Sequence, residues 1–182
     1  MIKTLTKTKF LPLCVDLDGT LIFNDVTWVS LGIFIQRNPL KIAHLLGWIM
    51  KSRALLKHEL AQAVDLDANN LKYNKKLIDY ITDQPHEEIY LVTAADQKMA
   101  QAVADHLGLF KGVIASDGAT NLRAQAKADK LIEIFGEKQF IYAGNSRDDL
   151  YVWKHAAAAI PINTNADTDE KLKLMKVDVI KI

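Results

Sequence analysis

Two aspartates, Asp16 and Asp18, have the residue type and spacing best suited to chemistry, because they directly follow a short apolar run. Side chains two positions apart in an extended segment point to the same side. Two carboxylates so close repel each other unless a cation or a shared proton compensates. A hard cation such as Mg²⁺ prefers oxygen ligands of this kind. Gly19 would let the chain turn, and the Thr20 hydroxyl would donate to an anionic oxygen. The alternative is an Asp-Gly turn with incidental acids.

The strands that would position these acids are predicted from apolar runs. The runs cover residues 11–17, 89–93, 112–115, 140–143 and 157–162, with 177–182 expected at an edge. Apolar residues at helical spacing, each series followed by a glycine, predict helices over Gln97–Leu107 and Gln125–Phe135. This alternation predicts an α/β fold, a doubly wound parallel sheet with helices on both faces. Ligands of such sheets lie beyond the carboxyl ends of the strands.

The segment after the first strand breaks the alternation and shows helical periodicity alone. Candidate helices are Val26–Gln36, Leu40–Lys51, Ala54–Val64 and Tyr73–Thr82. We therefore predict a core of residues 1–23 and 83–182, interrupted by a small helical insert of residues 24–82. Its apolar side chains either pack the insert together or offer a surface to a lipid tail or a membrane. Its basic residues either meet anionic headgroups or phosphate, or form a solvated face; they are Lys41, Lys51, Arg53 and Lys57.

Composition narrows the class of protein. The formal net charge is +1, with 23 basic and 22 acidic residues, which argues against nucleic acid as a partner. Cys14 is the single cysteine, so no internal disulfide forms, and a reducing cytoplasmic setting fits. Residues 1–10 lack the apolar core of a signal peptide. The most apolar long stretch, residues 40–50, is too short and too polar to span a bilayer.

The string Asp16-Leu17-Asp18-Gly19-Thr20-Leu21 resembles the first motif of haloacid dehalogenase (HAD) superfamily phosphatases. The resemblance implies a Rossmann-like core, a cap formed by the helical insert, and Mg²⁺ as cofactor. It also implies that the Asp16 carboxylate attacks phosphorus and forms an aspartyl-phosphate. Asp18 would protonate the leaving oxygen and then help to activate water, and its backbone carbonyl would bind the metal.

The second and third motifs of the family follow in order. Leu91-Val92-Thr93-Ala94-Ala95 resembles the second motif, in which Thr93 would hydrogen-bond a phosphoryl oxygen. Lys127 resembles the lysine of the third motif, which would neutralise phosphate and keep Asp16 ionised. Lys130 is the rival for that role. The alternative for Thr93 is a purely structural role, and the alternative for the lysine is a solvated side chain on its helix.

The fourth motif is resembled by Gly144-Asn145-Ser146-Arg147-Asp148-Asp149-Leu150. Asn145 stands where the family usually has a metal-binding Asp, so one negative charge is lost, although an amide oxygen can still bind Mg²⁺. Asp149 matches the final Asp of the motif and is expected near the metal, directly or through water. The implied metal ligands are Asp16, Asp18, Asn145 and Asp149. Arg147 would contact substrate phosphate or be a surface arginine.

Longer strings narrow the resemblance to the phosphoserine-phosphatase-like branch, and within it to the phosphatase-like domain often fused ahead of UbiA-type membrane prenyltransferases. These strings are residues 12–21, 103–110, 115–118 and 143–153. Asn at position 145 is normal in that group. Because the chain ends at Ile182, we expect a stand-alone version.

The resemblance implies hydrolysis of a phosphate monoester, with a phosphorylated small molecule or a lipid- or prenyl-linked phosphate as substrate and peripheral contact with a membrane. Two alternatives remain open. One is phosphotransfer to an acceptor other than water. The other is a catalytically weak or inactive module that binds a membrane prenyltransferase or a lipid phosphate, as suggested by Asn145 and the apolar insert.

Overall fold

The computed structural model of the chain describes residues 11–83 and 88–182. Residues 1–10, which carry the signal-peptide argument, lie outside the described residues. The described residues include a six-stranded sheet in the order β3-β2-β1-β4-β5-β6, with every neighbouring pair parallel. The strands are β1 (Leu13–Val15), β2 (Ile89–Asp96), β3 (Gly112–Ser116), β4 (Ile141–Gly144), β5 (Ala158–Pro161) and β6 (Asp178–Val179).

The strand order confirms the predicted doubly wound parallel sheet. The chain builds outward from β1 through β2 to β3, then crosses back to β4 and continues to the opposite edge. The order therefore reverses beside β1, and the crevice at the carboxyl ends of β1 and β4 is the place where such folds bind ligands. All three residues of β1 are fully buried, as expected for a central parallel strand covered on both faces.

The helices lie between the strands as the alternation predicts. Those of the insert are α1 (Val26–Arg37), α2 (Ile42–Lys51), α3 (Arg53–Ala63) and α4 (Lys75–Asp83); those of the core are α5 (Gln97–Leu107), α6 (Gln125–Phe135), α7 (Leu150–Trp153) and α8 (Ala166–Leu174). Helix α5 has the predicted ends because Asp96 caps its first turn and Gly108 ends it in a left-handed conformation. Helix α2 begins later than predicted, because residues Pro39–Lys41 form a separate 3₁₀ turn.

Apolar side chains fill both faces of the sheet. On one face, Leu13 and Val15 of β1 pack with residues of the insert and of α5. On the other, Cys14 packs with Tyr142 and Trp153 against α6, and the Trp153 indole donates to the backbone oxygen of Tyr142 at 3.0 Å. The alternation of side chains along β1 thus separates two layers. Within the described residues, no helix has both the length and the apolar character needed to cross a bilayer.

Candidate active site

Asp16 immediately follows β1 and is held from three sides. Its backbone amide donates to the oxygen of Ala143 on β4 at 3.0 Å, which extends the β1–β4 pairing to the strand end. Its Oδ1 accepts from Lys127 Nζ at 2.7 Å, and its Oδ2 accepts from the Thr20 hydroxyl at 3.2 Å. All three side chains are buried. The result is a single oriented carboxylate at the carboxyl end of a central strand.

The turn after Asp16 depends on Gly19. Its φ of 76° is the left-handed conformation that favours glycine. A Cβ at this position would lie 2.0 Å from Nδ2 of Asn145, so a side chain here would have to displace the Asn145 amide group. The amide of Leu21 then donates to the backbone oxygen of Asp16 at 3.2 Å and closes the turn. The Asn145 amide group is thereby placed against the loop that carries Asp18.

Asp18 is also tied to the start of the insert. Its Oδ1 accepts from the backbone amide of Val26, the first residue of α1, at 2.8 Å. Burial raises the pKa of Asp18 to about 7, and the nearby charges of Asp25 and Asp16 add to that rise. A carboxyl with this pKa holds a proton in part of the molecules at neutral pH. It can therefore act as a proton donor and, after ionisation, as a base.

Asp16 is the more ionised of the two acids at neutral pH. Burial raises its pKa to about 6, the Lys127 charge opposes that rise, and the Asp149 charge adds to it. Asp16 is thus mostly ionised at pH 7, as a nucleophile requires. Burial alone would lower the pKa of Lys127, but the charges of Asp16 and Asp149 outweigh burial and raise it, so the ammonium keeps its proton.

A buried chain of hydrogen bonds links Asp16 to Asp149 through Lys127 and Tyr142. Lys127 Nζ donates to the Tyr142 hydroxyl at 2.8 Å, and that hydroxyl donates to Asp149 Oδ1 at 2.8 Å. The distance from Lys127 Nζ to Asp149 Oδ1 is 3.7 Å. Burial and the Asp149 charge raise the pKa of Tyr142 well above 10, so its hydroxyl stays protonated and able to donate. One ammonium therefore serves two carboxylates, with a phenol between them.

The second oxygen of Asp149 organises the loop after β4. Oδ2 accepts from the backbone amides of Asn145 and Ser146 at 3.0 and 2.9 Å, and from the Ser146 hydroxyl at 2.9 Å. These bonds form a capping box at the 3₁₀ turn Arg147–Asp149. A Cβ on Gly144 would lie 2.7 Å from Asp149 Cγ and 2.8 Å from Tyr142 Cε1, so only glycine lets these two side chains meet there. Asp149 therefore fixes where Asn145 stands.

Helix α3 of the insert reaches the end of β2 with two successive side chains. Lys57 Nζ donates to the backbone oxygen of Ala94 at 2.6 Å, and His58 Nδ1 lies 3.0 Å from Asp96 Oδ2. Burial lowers the pKa of Lys57, although the charges of Asp18 and Asp25 act in the other direction. Thr93, on the same strand, is buried and accepts from the amide of Ala95 at 3.0 Å through its hydroxyl oxygen.

Most of the sequence-predicted site residues are brought to this crevice. Hydrogen bonds and ion pairs join Asp16, Thr20, Lys127 and Asp149 into one buried network, and Asn145 contacts the loop that contains Gly19. The rival lysine, Lys130, instead pairs with Glu133 at 2.8 Å on the outer side of α6. Arg147 is not brought into the network: it is exposed, and its charge adds to a lowering of the Asp167 pKa that is due mainly to the hydrogen bond from Lys171.

The site is completed by Tyr142 and Arg123, which the sequence did not single out, and by Lys57, one of the four basic residues of the insert considered for phosphate. Tyr142 bridges Lys127 and Asp149, and Lys57 brings a cation from the insert to the end of β2. Arg123 adds a positive charge close enough to lower the Lys57 pKa, while its Nε pairs with Asp148 at 2.5 Å. The polar aromatic at position 142 of a buried strand was a usable signal, because a buried hydroxyl needs a partner. Nothing in the sequence distinguishes Lys57 from the other lysines of the insert.

The donor set is compatible with a hard cation such as Mg²⁺. Among the described residues, no three His, Cys, Asp or Glu side chains form a metal-binding group. The oxygens that could hold a cation are those of the Asp16 carboxylate, the Asn145 amide and the backbone of the Asp18 loop, with Asp149 behind Asn145. The Asp149 charge raises the pKa of Asp16, and the Asp16 charge raises the pKa of Asp18; an added positive charge near these acids would relieve that repulsion.

The fold is that of the HAD hydrolases. A phosphoserine phosphatase in its apo form covers 95% of this chain and 93% of its own, with a TM-score of 0.59 at 16% identity. A HAD family hydrolase from Salmonella enterica serovar Typhi covers 93% of this chain and 66% of its own, with a TM-score of 0.62 at 12% identity. A protein of unknown function from Bordetella pertussis Tohama I covers 94% and 98%, with a TM-score of 0.67 at 14% identity.

Sequence similarity is found to an uncharacterized protein, y4nM, of Sinorhizobium fredii. The two are 36% identical over 171 residues, which is 93% of this chain and 33% of that protein. The chain thus spans about a third of the length of the curated relative that it matches. No protein-family model matches the chain.

Proposed function

We propose that this chain is a Mg²⁺-dependent hydrolase of phosphate monoesters that works through an aspartyl-phosphate on Asp16. The observation that carries the proposal is the Asp16 carboxylate itself. It is buried at the carboxyl end of the central strand, between Lys127 at 2.7 Å and Thr20 at 3.2 Å, with a second carboxyl two residues further on. On the fold of HAD hydrolases, that position suits a nucleophile.

The chemistry divides between the two acids. Asp16 is ionised at neutral pH and attacks phosphorus; the bond to the leaving oxygen breaks, and that oxygen takes the proton from Asp18. In the second half, Asp18 removes a proton from water as the water oxygen attacks phosphorus. The Asp16 carboxylate and inorganic phosphate are then released. The pKa values of about 6 and 7 suit this division, since the lower belongs to Asp16, the nucleophile that must be charged, and the higher to Asp18, which must first carry a proton.

Three side chains would stabilise the phosphoryl oxygens. Lys127 carries a buried positive charge beside Asp16, and its hydrogen bond to Tyr142 fixes its direction. The hydroxyls of Thr20 and Thr93 would donate to the oxygens as negative charge shifts onto them. Arg147 remains a proposed phosphate contact only for an extended substrate, because the side chain is exposed.

When bound, Mg²⁺ would neutralise phosphate charge and polarise a phosphoryl oxygen. The proposed ligands are the Asp16 carboxylate, the Asp18 backbone carbonyl and the Asn145 amide. Asp149 would act indirectly, by holding Asn145 in place, because its Oδ2 already accepts three hydrogen bonds from Asn145 and Ser146. The loss of an acid at position 145 makes weaker metal binding a part of the proposal.

For the substrate, we propose a phosphate ester whose leaving group is lipid- or prenyl-linked, met at a membrane surface. The support is the resemblance of the motif strings to the domain fused to UbiA-type prenyltransferases. Lys57 of the cap and Arg123 add positive charge at the end of β2, which would favour an anionic substrate.

The direct test is phosphate release from p-nitrophenyl phosphate with and without Mg²⁺. Asp16→Asn is expected to reduce turnover to background, and rapid acid quenching of the unmodified protein should trap phosphate on Asp16. Asp129→Asn is the matched control, because it removes an exposed carboxylate from α6, the helix that carries Lys127. Turnover that survives Asp16→Asn would exclude Asp16 as the nucleophile.

A second candidate function is a weakly active or inactive module that binds a lipid phosphate or a membrane prenyltransferase. It is favoured by one observation: Asn145 supplies no charge, and Asp149 is engaged in the capping box. This candidate predicts binding of a lipid phosphate without release of inorganic phosphate. A screen of phosphate esters that includes lipid phosphates, with Mg²⁺ present, separates the two.

A further inference from the structure

Helix α2 of the cap buries only part of its apolar surface. Leu45 is buried, and the ring of Trp48 lies 5.5 Å from the ring of Phe34 on α1. The remaining large apolar side chains lie one and two helical turns apart on an adjacent side, where they form one stripe. We call this stripe, with the neighbouring Leu40, the outer cap face; its residues are Leu40, Ile42, Leu46, Ile49 and Met50.

The outer cap face is strongly exposed. Leu40 is 97% exposed, Met50 87% and Leu46 64%, and the two isoleucines are roughly half exposed. Single exposed apolar side chains are common on proteins, but several large ones on one short helix are not expected unless something covers them. Packing of α2 against α1 and α3 already uses the other side of the helix, so the face needs an occupant from outside the cap.

The formal charges in the stretch of chain that carries this face are all of one sign. The sequence contains no acidic residue between Asp25 and Glu59, whereas the same stretch contains Arg37, Lys41, Lys51, Arg53 and Lys57. Lys41 and Lys51 are exposed and stand at the two ends of α2. The chain as a whole is nearly balanced, with a formal net charge of +1. The acid-free stretch is therefore a local feature of the cap.

We infer that the outer cap face binds an anionic lipid bilayer, with α2 lying in the plane of the interface. A helix with exposed apolar side chains on one side, lysines beside them and a mean charge of one sign has the properties of an interfacial helix. The lysine stems would cover apolar surface while their ammonium groups reach the lipid headgroups. An apolar groove on another protein would cover Leu46 and Met50 equally well, but it would not explain why this stretch of the cap contains no acidic residue.

The face is connected to the site by a short path. Ser52 alone separates α2 from α3, and Lys57 of α3 contacts the backbone of Ala94 at the end of β2. A bilayer under α2 would thus lie next to the element that covers the crevice. The inference rests on the proposed function, because bilayer binding matters to hydrolysis only if the substrate is a lipid-linked phosphate held at that bilayer. Vesicle binding is nonetheless measurable without turnover.

The test is flotation of the full chain, as the Asp16→Asn variant, with vesicles of equal parts phosphatidylcholine and phosphatidylglycerol, and with vesicles of phosphatidylcholine alone. Use of the inactive variant separates failure of this inference from failure of the proposed hydrolysis. We expect association with the anionic vesicles, weakened by salt. The pair Lys41→Glu with Lys51→Glu should weaken association at least about 25-fold, and Leu46→Gln with Met50→Gln at least about tenfold.

The matched controls are surface residues on helices outside the cap. Leu174→Gln removes an exposed leucine from α8, and Lys130→Glu reverses a lysine on α6; neither should change vesicle association. Because all the substituted cap residues are exposed, circular dichroism and Tm should match the parent. Equal association of the cap variants and the parent would overturn the inference. Self-association through the face, seen by analytical ultracentrifugation with no vesicle binding, would also overturn it and assign the face to a second copy.

Discussion

The Tyr142 hydroxyl is the clearest place to test how the buried charges are held. Tyr142→Phe removes one oxygen and changes no charge. It takes away the bond from Lys127 Nζ at 2.8 Å and the bond to Asp149 Oδ1 at 2.8 Å. Lys127 keeps Asp16 at 2.7 Å, so the group left without a short contact is Asp149 Oδ1, whose nearest cation is 3.7 Å away.

The size of the expected loss in stability follows from Asp149 Oδ1, which would lose its hydrogen-bond donor. Leaving a buried acceptor unsatisfied costs about 1–3 kcal/mol, with charged groups at the upper end. We therefore expect the free energy of unfolding to fall by about 2–3 kcal/mol. Turnover should also fall, because Lys127 loses one of the bonds that direct it toward the phosphoryl group. The KM should change little, since the phenol contacts no substrate in the proposed mechanism.

The assay is urea unfolding followed by circular dichroism, with kcat and KM measured in parallel. Tyr90→Phe is the matched control on β2, which β1 separates from the strand of Tyr142: its hydroxyl donates to Glu88 Oε2 at 2.7 Å, outside the site. The control should lose less than about 1 kcal/mol, because Glu88 can turn to water. Equal, small losses for both variants, with unchanged kcat, would refute the reasoning that Tyr142 holds the two charged groups in place.

Three further predictions concern the same site. Lys57→Met should raise the KM for an anionic substrate about tenfold, as expected for a lost charged hydrogen bond, whereas Lys75→Met on the exposed side of α4 should not. Asn145→Asp should tighten Mg²⁺ binding at least about tenfold by calorimetry, because it adds a charged oxygen; unchanged affinity would place the metal elsewhere. Activity should rise with pH as Asp16 ionises near pH 6 and fall above pH 7 as Asp18 loses its proton. Raising the Mg²⁺ concentration should move the acidic limb to lower pH, because the Asp16 carboxylate is a proposed ligand, and an acidic limb that stays in place would contradict this assignment.

Local signals in the sequence were sufficient where structure is decided locally. Helix α5 has the predicted bounds because Asp96 and Gly108 mark its ends, and α6 has the predicted bounds with Gly136 after it. The positions of the strands along the chain and their parallel arrangement followed from the apolar runs and from the alternation with helices. Helix α8 was not predicted, because its buried positions are only Thr168 and Leu172, too few to show a period.

Tertiary contacts decided what the sequence did not foresee. The partnership of Tyr142 with Lys127 exists only because β4 and α6 pack against each other on one face of the sheet. The contact of Lys57 with Ala94 depends on how the cap is seated on the core, which no local pattern encodes. Residue types, spacing and motif resemblance therefore predicted the acids at the strand ends and Lys127 beside them, but not the phenol of Tyr142 or the contact that Lys57 makes.

The lone thiol of Cys14 offers a built-in reporter of how the molecule opens. It lies two residues before Asp16 in the central strand, fully enclosed, and burial raises its pKa far above the ordinary range. A thiol in that state cannot react with a disulfide reagent until the middle of the sheet separates. The labelling rate under native conditions would thus measure the rarest opening of the molecule, at the strand that carries the proposed nucleophile, without any added probe.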